Sequence, residues 1–136
     1  NELITCSNIS KERDIEIRKL NPGTYALSNT YLTNSWPKCQ KGRQCLADGT
    51  EQDFSIGTLL EILGDSQPPL DNLLPQRGNT IEYERRLGSA FVIGEDYGTR
   101  ASTVLLVNHR KITFHERSFG RKGSSYQDLR NELLLN

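Results

Sequence analysis

Two polar side chains stand where a predicted strand ends or begins, and both types can do chemistry. Asn29 closes the stretch "GTYALSN", and its side-chain amide can donate hydrogen bonds to a developing oxyanion if it is held rigidly. Arg100 comes directly before "ASTVLLV", and its planar guanidinium suits a carboxylate, a thiolate or an oxyanion. Each also has a simpler explanation, because Asn29 could cap a turn and Arg100 could pair with Glu95, Asp96 or Glu116.

The histidines and cysteines form no recognisable constellation. His109 lies in a predicted hairpin turn and is expected to be exposed, whereas His115 lies on a strand and could face either way. Their spacing predicts no metal site. Cys39 and Cys45 are six positions apart on a predicted helix, which points them in different directions, and Cys6 is interpreted as a structural strand residue. We find no glycine-rich phosphate loop and no Ser-His-Asp set.

The composition excludes some classes of function. The 136 residues include 17 basic and 17 acidic side chains, which are interspersed, so there is no basic patch for nucleic acid. No apolar run approaches the ~20 residues needed to span a bilayer. Hydrophobic residues make up 35% of the chain, so either many polar residues form loops or the chain packs against more protein.

The ends and the cysteines add two expectations. The start, "NELITCSN", is not a signal peptide and lacks an initiator Met, so we interpret the chain as a fragment or as one whose earlier residues were lost. The odd count of three cysteines argues against a disulfide framework and predicts a reducing compartment, the cytosol.

Residues 1–64 are predicted to form a short meander followed by two helices. Strands are expected in "LITCS", "DIEIRKL" and "GTYALSN", with short connections that favour antiparallel pairing. Ser35-Trp36-Pro37 predicts a helix entry, and this helix continues through Lys38 to about Leu46. A second helix is expected to start near Asp53 as its N-cap and to end with Gly64 at the C′ position.

Residues 65–136 are predicted to be mostly β. Residues 65–80 hold three of the five prolines and are expected to be a loop, which could act as a lid or rim of a site. Strands are expected over 89–95, 101–108 and 111–119, with a tight hairpin turn at 108–111. "ASTVLLV" predicts a central strand covered on both faces, and the tail from 125 is ambiguous between helix and strand. The whole predicts one α+β domain over residues 1–136.

Two long stretches carry a resemblance to a known family. "LNPGTYALSNTYLTNSWPKCQKGRQCL" and "DYGTRASTVLLVNHRKITFHERSF" resemble the transport and Golgi organisation family, also called the NRDE family. The linked motifs are the PGTYxLSN strand, the W-P-K helix entry, the YGTR-x-ST strand and the F-x-ERSF strand, in that order. The segment from Glu84 to Phe91 is similar to bacterial members in particular.

The resemblance implies a fold that sequence periodicity does not reveal. Family members are similar to N-terminal-nucleophile (Ntn) hydrolases, in which two antiparallel sheets lie between helical layers, an αββα sandwich. Their first half begins Met-Cys and carries an Asn-Arg-Asp-Glu motif, and neither occurs here. The resemblance therefore implies that this chain is the C-terminal half, whose partner is the N-terminal half of the same protein.

The resemblance also implies roles for the two strand-end residues. In the related choloylglycine-type hydrolases, an Asn in a similar context helps form the oxyanion hole, and an Arg at the head of a later strand lies beside the nucleophilic Cys. Asn29 and Arg100 match these contexts, which implies that both are catalytic residues for amide or ester cleavage by a Cys thiolate. A shared fold is not a shared function, and without its nucleophile the fragment is expected to be inactive.

The family implies a non-catalytic alternative as well. Its members are associated with haem movement, with lipid and Golgi homeostasis, and with mitochondria. Haem is then an expected ligand rather than a resident cofactor, and Arg100 would pair with a haem propionate. A haem- or lipid-binding carrier and a hydrolase-like module both remain open at this point.

Overall fold

A computed structural model describes residues 2–8, 15–28, 32, 36–49 and 54–135 of the chain. It contains two separately compact units, Asn1–Asp48 and Gly49–Asn136. Over the described residues there are two antiparallel sheets and three α-helices, so the predicted α+β class is confirmed. The single domain over residues 1–136 and the Ntn-type sandwich stay predictions.

The first unit contains a two-stranded sheet and one helix. Strand β1 (Leu3–Ser7) pairs antiparallel with β2 (Glu16–Leu20), as the alternating pattern predicts. Helix α1 (Pro37–Asp48) begins at the proline, because a proline at the first helical position sacrifices no hydrogen bond. The predicted helix is therefore confirmed and extends by two residues beyond Leu46.

The third strand predicted for the meander is wrong over the residues described. Within "GTYALSN", the described part forms only an isolated bridge between Leu27 and Leu32. The hydroxyl of Tyr25 donates to the carbonyl oxygen of Asn21 at 2.8 Å, so the segment folds back on the Asn-Pro-Gly turn. Because the Tyr25 side chain bonds back to this turn, less of the backbone that follows is extended and free to pair with another strand.

The second unit contains a three-stranded sheet whose strands are β3 (Ala101–Val107), β4 (Lys111–Phe119) and β5 (Ser125–Leu134), all antiparallel in that order. The predicted hairpin turn is confirmed, because Asn108 Oδ1 accepts from the backbone amides of Arg110 and Lys111, each at 2.9 Å. The ambiguous tail is a strand. Since β5 pairs along the whole of β4, tertiary pairing decides what local spacing left open.

Helix α2 (Ile56–Leu63) starts later than predicted. Asp53 lies outside the described residues, and the N-cap is Ser55, whose hydroxyl oxygen accepts from Thr58 N at 3.1 Å. Gly64 is the C-cap rather than the C′ residue. Its φ of −82° is right-handed, and its N–H donates to Leu60 O at 2.9 Å, so the helix ends without a left-handed residue.

Helix α3 (Ile81–Gly88) was not predicted, and the strand expected over 89–95 is absent. Thr80 caps the helix by accepting from Tyr83 N at 3.4 Å. Downstream, Phe91 N donates to Asp65 O at 2.8 Å and Val92 N donates to Thr99 Oγ1 at 2.9 Å. These amides bond to loop and side-chain acceptors, so the segment connects elements instead of joining the sheet. Residues 65–80 are a loop, as expected, apart from one 3₁₀ turn at Asp71–Leu73.

The placement of β3 overturns one prediction. Over the described residues the strand lies at an edge of its sheet, and only one of its faces is covered. On the covered face, which α2 contacts, Ser102 and Val104 are buried. On the other face Leu105 is 59% exposed. The apolar run is therefore not the signature of a central strand within this chain, since the second apolar face is left open.

The covered face is anchored by an aromatic pair. The rings of Phe91 and Phe119 meet edge to face, with centroids 4.6 Å apart and an interplanar angle of 81°. Both side chains are buried. This geometry adds a specific contact to the burial of two large apolar groups. It joins the irregular segment after α3 to the end of β4.

We expect Phe119→Ala to lower the free energy of unfolding of the second unit by about 3 kcal/mol, because the substitution leaves a cavity against Phe91. Urea unfolding followed by circular dichroism measures this. Leu70→Ala is the control, since Leu70 is 72% exposed and should change the value by less than about 0.5 kcal/mol. Equal effects of the two substitutions would contradict the packing described here.

Candidate functional site

A cleft of about 270 Å³ lies at the head of β3. Phe119 N donates to Arg100 O at 2.8 Å, which continues the β3–β4 pairing one position beyond Ala101 and Ser118. This bond keeps the segment that precedes β3 next to the segment that follows β4. The cleft is lined by residues 94–100 together with Gly120, Arg121 and Gly123.

The loop wall of the cleft depends on two glycines. Thr99 N donates to Val92 O at 2.9 Å, so residues 92–99 form a loop whose ends are tied together. A Cβ at Gly98 would lie 2.9 Å from Val92 O, and one at Gly94 would lie 2.4 Å from Tyr97 O. Both contacts are with backbone, which cannot move aside without opening the loop. Gly98, two residues before Arg100, is therefore explained by the close approach of the Val92 backbone.

Arg100 lines this cleft and is exposed. Among the residues described, no acid forms an ion pair with its guanidinium, so the ion pair considered from sequence is wrong. Of the three candidate acids, Glu95 pairs with Lys122 at 2.7 Å and Glu116 accepts from Thr103 Oγ1 at 3.0 Å. The third, Asp96, lines the same cleft without reaching the guanidinium. The Arg100 guanidinium is therefore available to bind a ligand.

Asn29 lies outside the described residues, so its predicted part in an oxyanion hole stays a prediction. The expected proximity of Asn29 to Arg100 also stays a prediction.

The histidines do not contribute to the cleft. His109 is exposed in the hairpin turn, as expected. His115 lies on the covered face of the sheet opposite Val104, and its Nε2 lies 3.6 Å from Asp128 Oδ2. Arg117 donates to both oxygens of Asp128 at 2.8 Å, and these bonds hold the pKa of that carboxyl below its usual range. Asp128 is thus already paired.

The cysteines and other ligating residues form no metal site in the described part of the chain. No group of three or more His, Cys, Asp or Glu side chains comes together there. Cys39 is buried on α1, while Cys6 and Cys45 are exposed, and all three are free thiols. In the same residues, no helix is long and apolar enough to cross a membrane.

Sequence reasoning missed a buried polar cluster at the start of α3. Glu84 is only 3% exposed and accepts from Arg77 Nε at 3.1 Å and from Asn79 Nδ2 at 2.7 Å. These hydrogen bonds, that of Arg77 foremost, lower the pKa of the Glu84 carboxyl. The Asn-Thr pair before a Glu-rich turn could have signalled the helix start. Nothing in the spacing signals that this Glu is buried, and its partners make the cluster structural.

Comparison with known proteins decides the family. The sequence profile described as Transport and Golgi organisation 2 matches residues 1–121. The chain belongs to this family. The chain is 33% identical over 123 residues to the Transport and Golgi organization protein 2 homolog of Homo sapiens, covering 82% of this chain and 44% of that protein.

Two further relatives agree. The Bos taurus homolog is 37% identical over 111 residues, covering 73% of this chain and 40% of the relative, and the Mus musculus homolog is 33% identical over 118 residues, covering 78% and 42%. The chain thus spans less than half the length of these relatives. No solved structure matches the chain.

The Glu84 cluster predicts how stability depends on pH. Because the pKa of Glu84 is lower in the folded chain than its ordinary value of 4.5, the stabilisation is present above about pH 4.5. It is lost as the pH falls through the lowered pKa, since the unfolded chain then binds the proton more readily. We expect Glu84→Gln to be less stable than the wild type at pH 7 and to lose less stability on acidification to pH 3.

Urea midpoints between pH 7 and 3 measure the effect. The control is Glu82→Gln, on the same helix but exposed, which should keep the acid sensitivity of the wild type. Parallel pH profiles for the wild type and Glu84→Gln would contradict the role assigned to the buried carboxylate.

Proposed function

We propose that this chain supplies the electrostatic part of a hydrolase-like site that cleaves an amide or ester with a cysteine nucleophile outside the chain. The observation that carries the proposal is Arg100, which lines a cleft at a strand head and has no acid partner among the residues described. Membership of the family supports it, because the resemblance described under Sequence analysis implies a likeness to Ntn hydrolases. A guanidinium close to a cysteine favours the thiolate over the thiol.

The proposed reaction divides the work among four groups. The thiolate sulfur attacks the carbonyl carbon, and the tetrahedral oxyanion that forms is held by the amide of Asn29. The base for the thiol is the free α-amine of the N-terminal cysteine itself, which lies outside this chain. The protonated α-amine then gives its proton to the leaving amine or alcohol. Water then hydrolyses the thioester, releases the acid and restores the thiol. Arg100 stabilises the thiolate at the start and at the end of the cycle.

We propose that the rest of the family's length packs on the open face of the β3–β4–β5 sheet and brings the nucleophile. By register this face carries Leu105 and Val107 of β3 and Leu129 and Leu133 of β5, all substantially exposed. The relatives are more than twice as long as the matched region, so they contain enough chain to cover it. Exposed apolar patches of this kind mark interaction surfaces.

The alternative proposal is a haem- or lipid-binding carrier, with Arg100 pairing with a carboxylate of the ligand. The same guanidinium, which has no acid partner within the described ranges, supports it, since a carrier needs an anchoring cation and no nucleophile. A haem carrier of this kind should shift the Soret band of added haem, and Arg100→Ala should weaken that shift. An unchanged Soret band would remove the alternative.

The proposed location is the cytoplasm, on the ground of three free thiols. The names of the relatives refer to transport and Golgi organisation, which is compatible with work at the cytoplasmic side of that organelle.

For the hydrolase-like proposal, we expect Arg100→Ala to raise the pKa of the reactive thiol in the native polypeptide that carries this chain. Alkylation by iodoacetamide between pH 5 and 9 measures that pKa. The background is Cys6→Ser with Cys45→Ser, because these two exposed thiols would otherwise react. A loss of about tenfold in rate at pH 7 corresponds to one pKa unit.

Arg110→Ala is the matched control, since Arg110 is an exposed arginine in the turn at the opposite end of β3. It should leave the alkylation profile unchanged. A thiol of ordinary pKa that ignores Arg100→Ala would refute the proposal.

For the packing proposal, we expect Leu105→Ala to lower the free energy of unfolding of the native polypeptide by about 2 kcal/mol, as for a buried leucine. The control is Leu73→Ala, because Leu73 is 54% exposed in this chain and lies in the loop, away from the sheet. Chemical denaturation measures both. If the two variants lose equally little, the open face is not covered by the rest of the protein.

A further inference from the structure

The cleft at the head of β3 holds a second arginine that neither the family motif nor the proposed reaction uses. Arg121 follows β4 by two residues and lines the same cleft as Arg100. The bond from Phe119 N to Arg100 O keeps the two arginine-bearing segments adjacent. In the described part of the chain, no acid pairs with the Arg121 guanidinium.

The turn that carries Arg121 is fixed on both sides. Gly120 N donates to Ser124 O at 2.8 Å, and Ser124 Oγ donates to Arg121 O at 3.0 Å. The next residue, Lys122, has a φ of 57°, a left-handed conformation that costs a non-glycine residue about 1 kcal/mol or more. Strain kept in a turn whose residues line a cleft points to a function for that turn rather than to chance.

The cleft lining carries charges of both signs. Two of its charged residues are acids, Glu95 and Asp96, and two are Arg100 and Arg121, so the formal charge of the lining is zero. Glu95 pairs with Lys122 at 2.7 Å, and over the described residues Asp96 forms no ion pair with either arginine. Two planar cations held at one cleft repel each other unless an anion lies between them.

We propose that this cleft binds the carboxylate of a small organic ligand between Arg100 and Arg121. Guanidinium groups bind planar carboxylates through paired hydrogen bonds, and the two acids in the lining repel a dianionic phosphate more than a monoanion. A volume of about 270 Å³ fits a carboxylate with a short substituent and is smaller than pockets for drug-sized ligands. The inference shares Arg100 with the proposed hydrolase-like site but needs no nucleophile.

The test is an NMR titration of the native polypeptide with propionate and, separately, with propionamide, a neutral ligand of the same shape. We expect propionate to shift the backbone amide signals of Thr99, Arg121 and Gly123 and propionamide to leave them in place. Arg121→Ala should weaken propionate binding about tenfold, as for loss of one charge-assisted hydrogen-bonded pair. Arg110→Ala, the distant exposed arginine, should leave it unchanged.

Asp96→Asn gives a variant with the opposite expectation. Removing the opposing carboxylate should tighten propionate binding several-fold, an outcome that a misfolded cleft would not produce. An equal response to propionamide, or unchanged binding in Arg121→Ala, would overturn the inference. Tighter binding of inorganic phosphate than of propionate would overturn the choice of a carboxylate.

The two proposals can fail separately. If the cleft binds propionate through Arg121 while thiol alkylation ignores Arg100→Ala, the carboxylate site stands and the hydrolase-like proposal falls. If alkylation depends on Arg100 while propionate does not bind, the reverse holds.

Discussion

The antiparallel register of β3 on β4 is the constraint on which the second unit depends. It sets Val104 opposite His115 and Ala101 opposite Ser118, and it ends with the bond from Phe119 N to Arg100 O. A shift of one residue would send the buried Val104 to the open face, so the covered face fixes this register strongly. The same register brings the segment before β3 and the turn after β4 together. The cleft exists because two strand ends coincide.

Over the described residues, the β3–β4–β5 sheet has one covered face and one open face. On the covered face Phe91 packs on Phe119, and Ser102 and Thr113 are buried. The other face exposes three leucines and a valine on β3 and β5, which is costly in water. The chain spans less than half the length of its relatives, and we propose that further protein covers this face.

The sequence pattern singles out Arg100, because a charged residue stands before an apolar strand, and Arg100 lines the cleft. Its catalytic role, like that of Asn29, stays a prediction. Arg121 gave no signal, since it follows a strand in a Gly-Arg-Lys-Gly turn that reads as an ordinary exposed connection. Glu84 was missed for a related reason: its burial is created by Arg77 and Asn79 and not by its own position on the helix. Burial of a polar side chain depends on how its partners fold around it, which the spacing of the residues does not show.

The sequence by itself determined the family, the α+β class, strands β1, β2, β3 and β4, the Asn108 turn and helix α1, because each rests on local periodicity, capping or a linked motif. Only the tertiary structure decided that β3 lies at an edge and that the tail is a strand, since pairing partners fix both. It also decided that residues 89–95 form a connection, because their amides bond to Asp65 and Thr99. Local pattern shows what a segment can become, and long-range hydrogen bonds select among those choices.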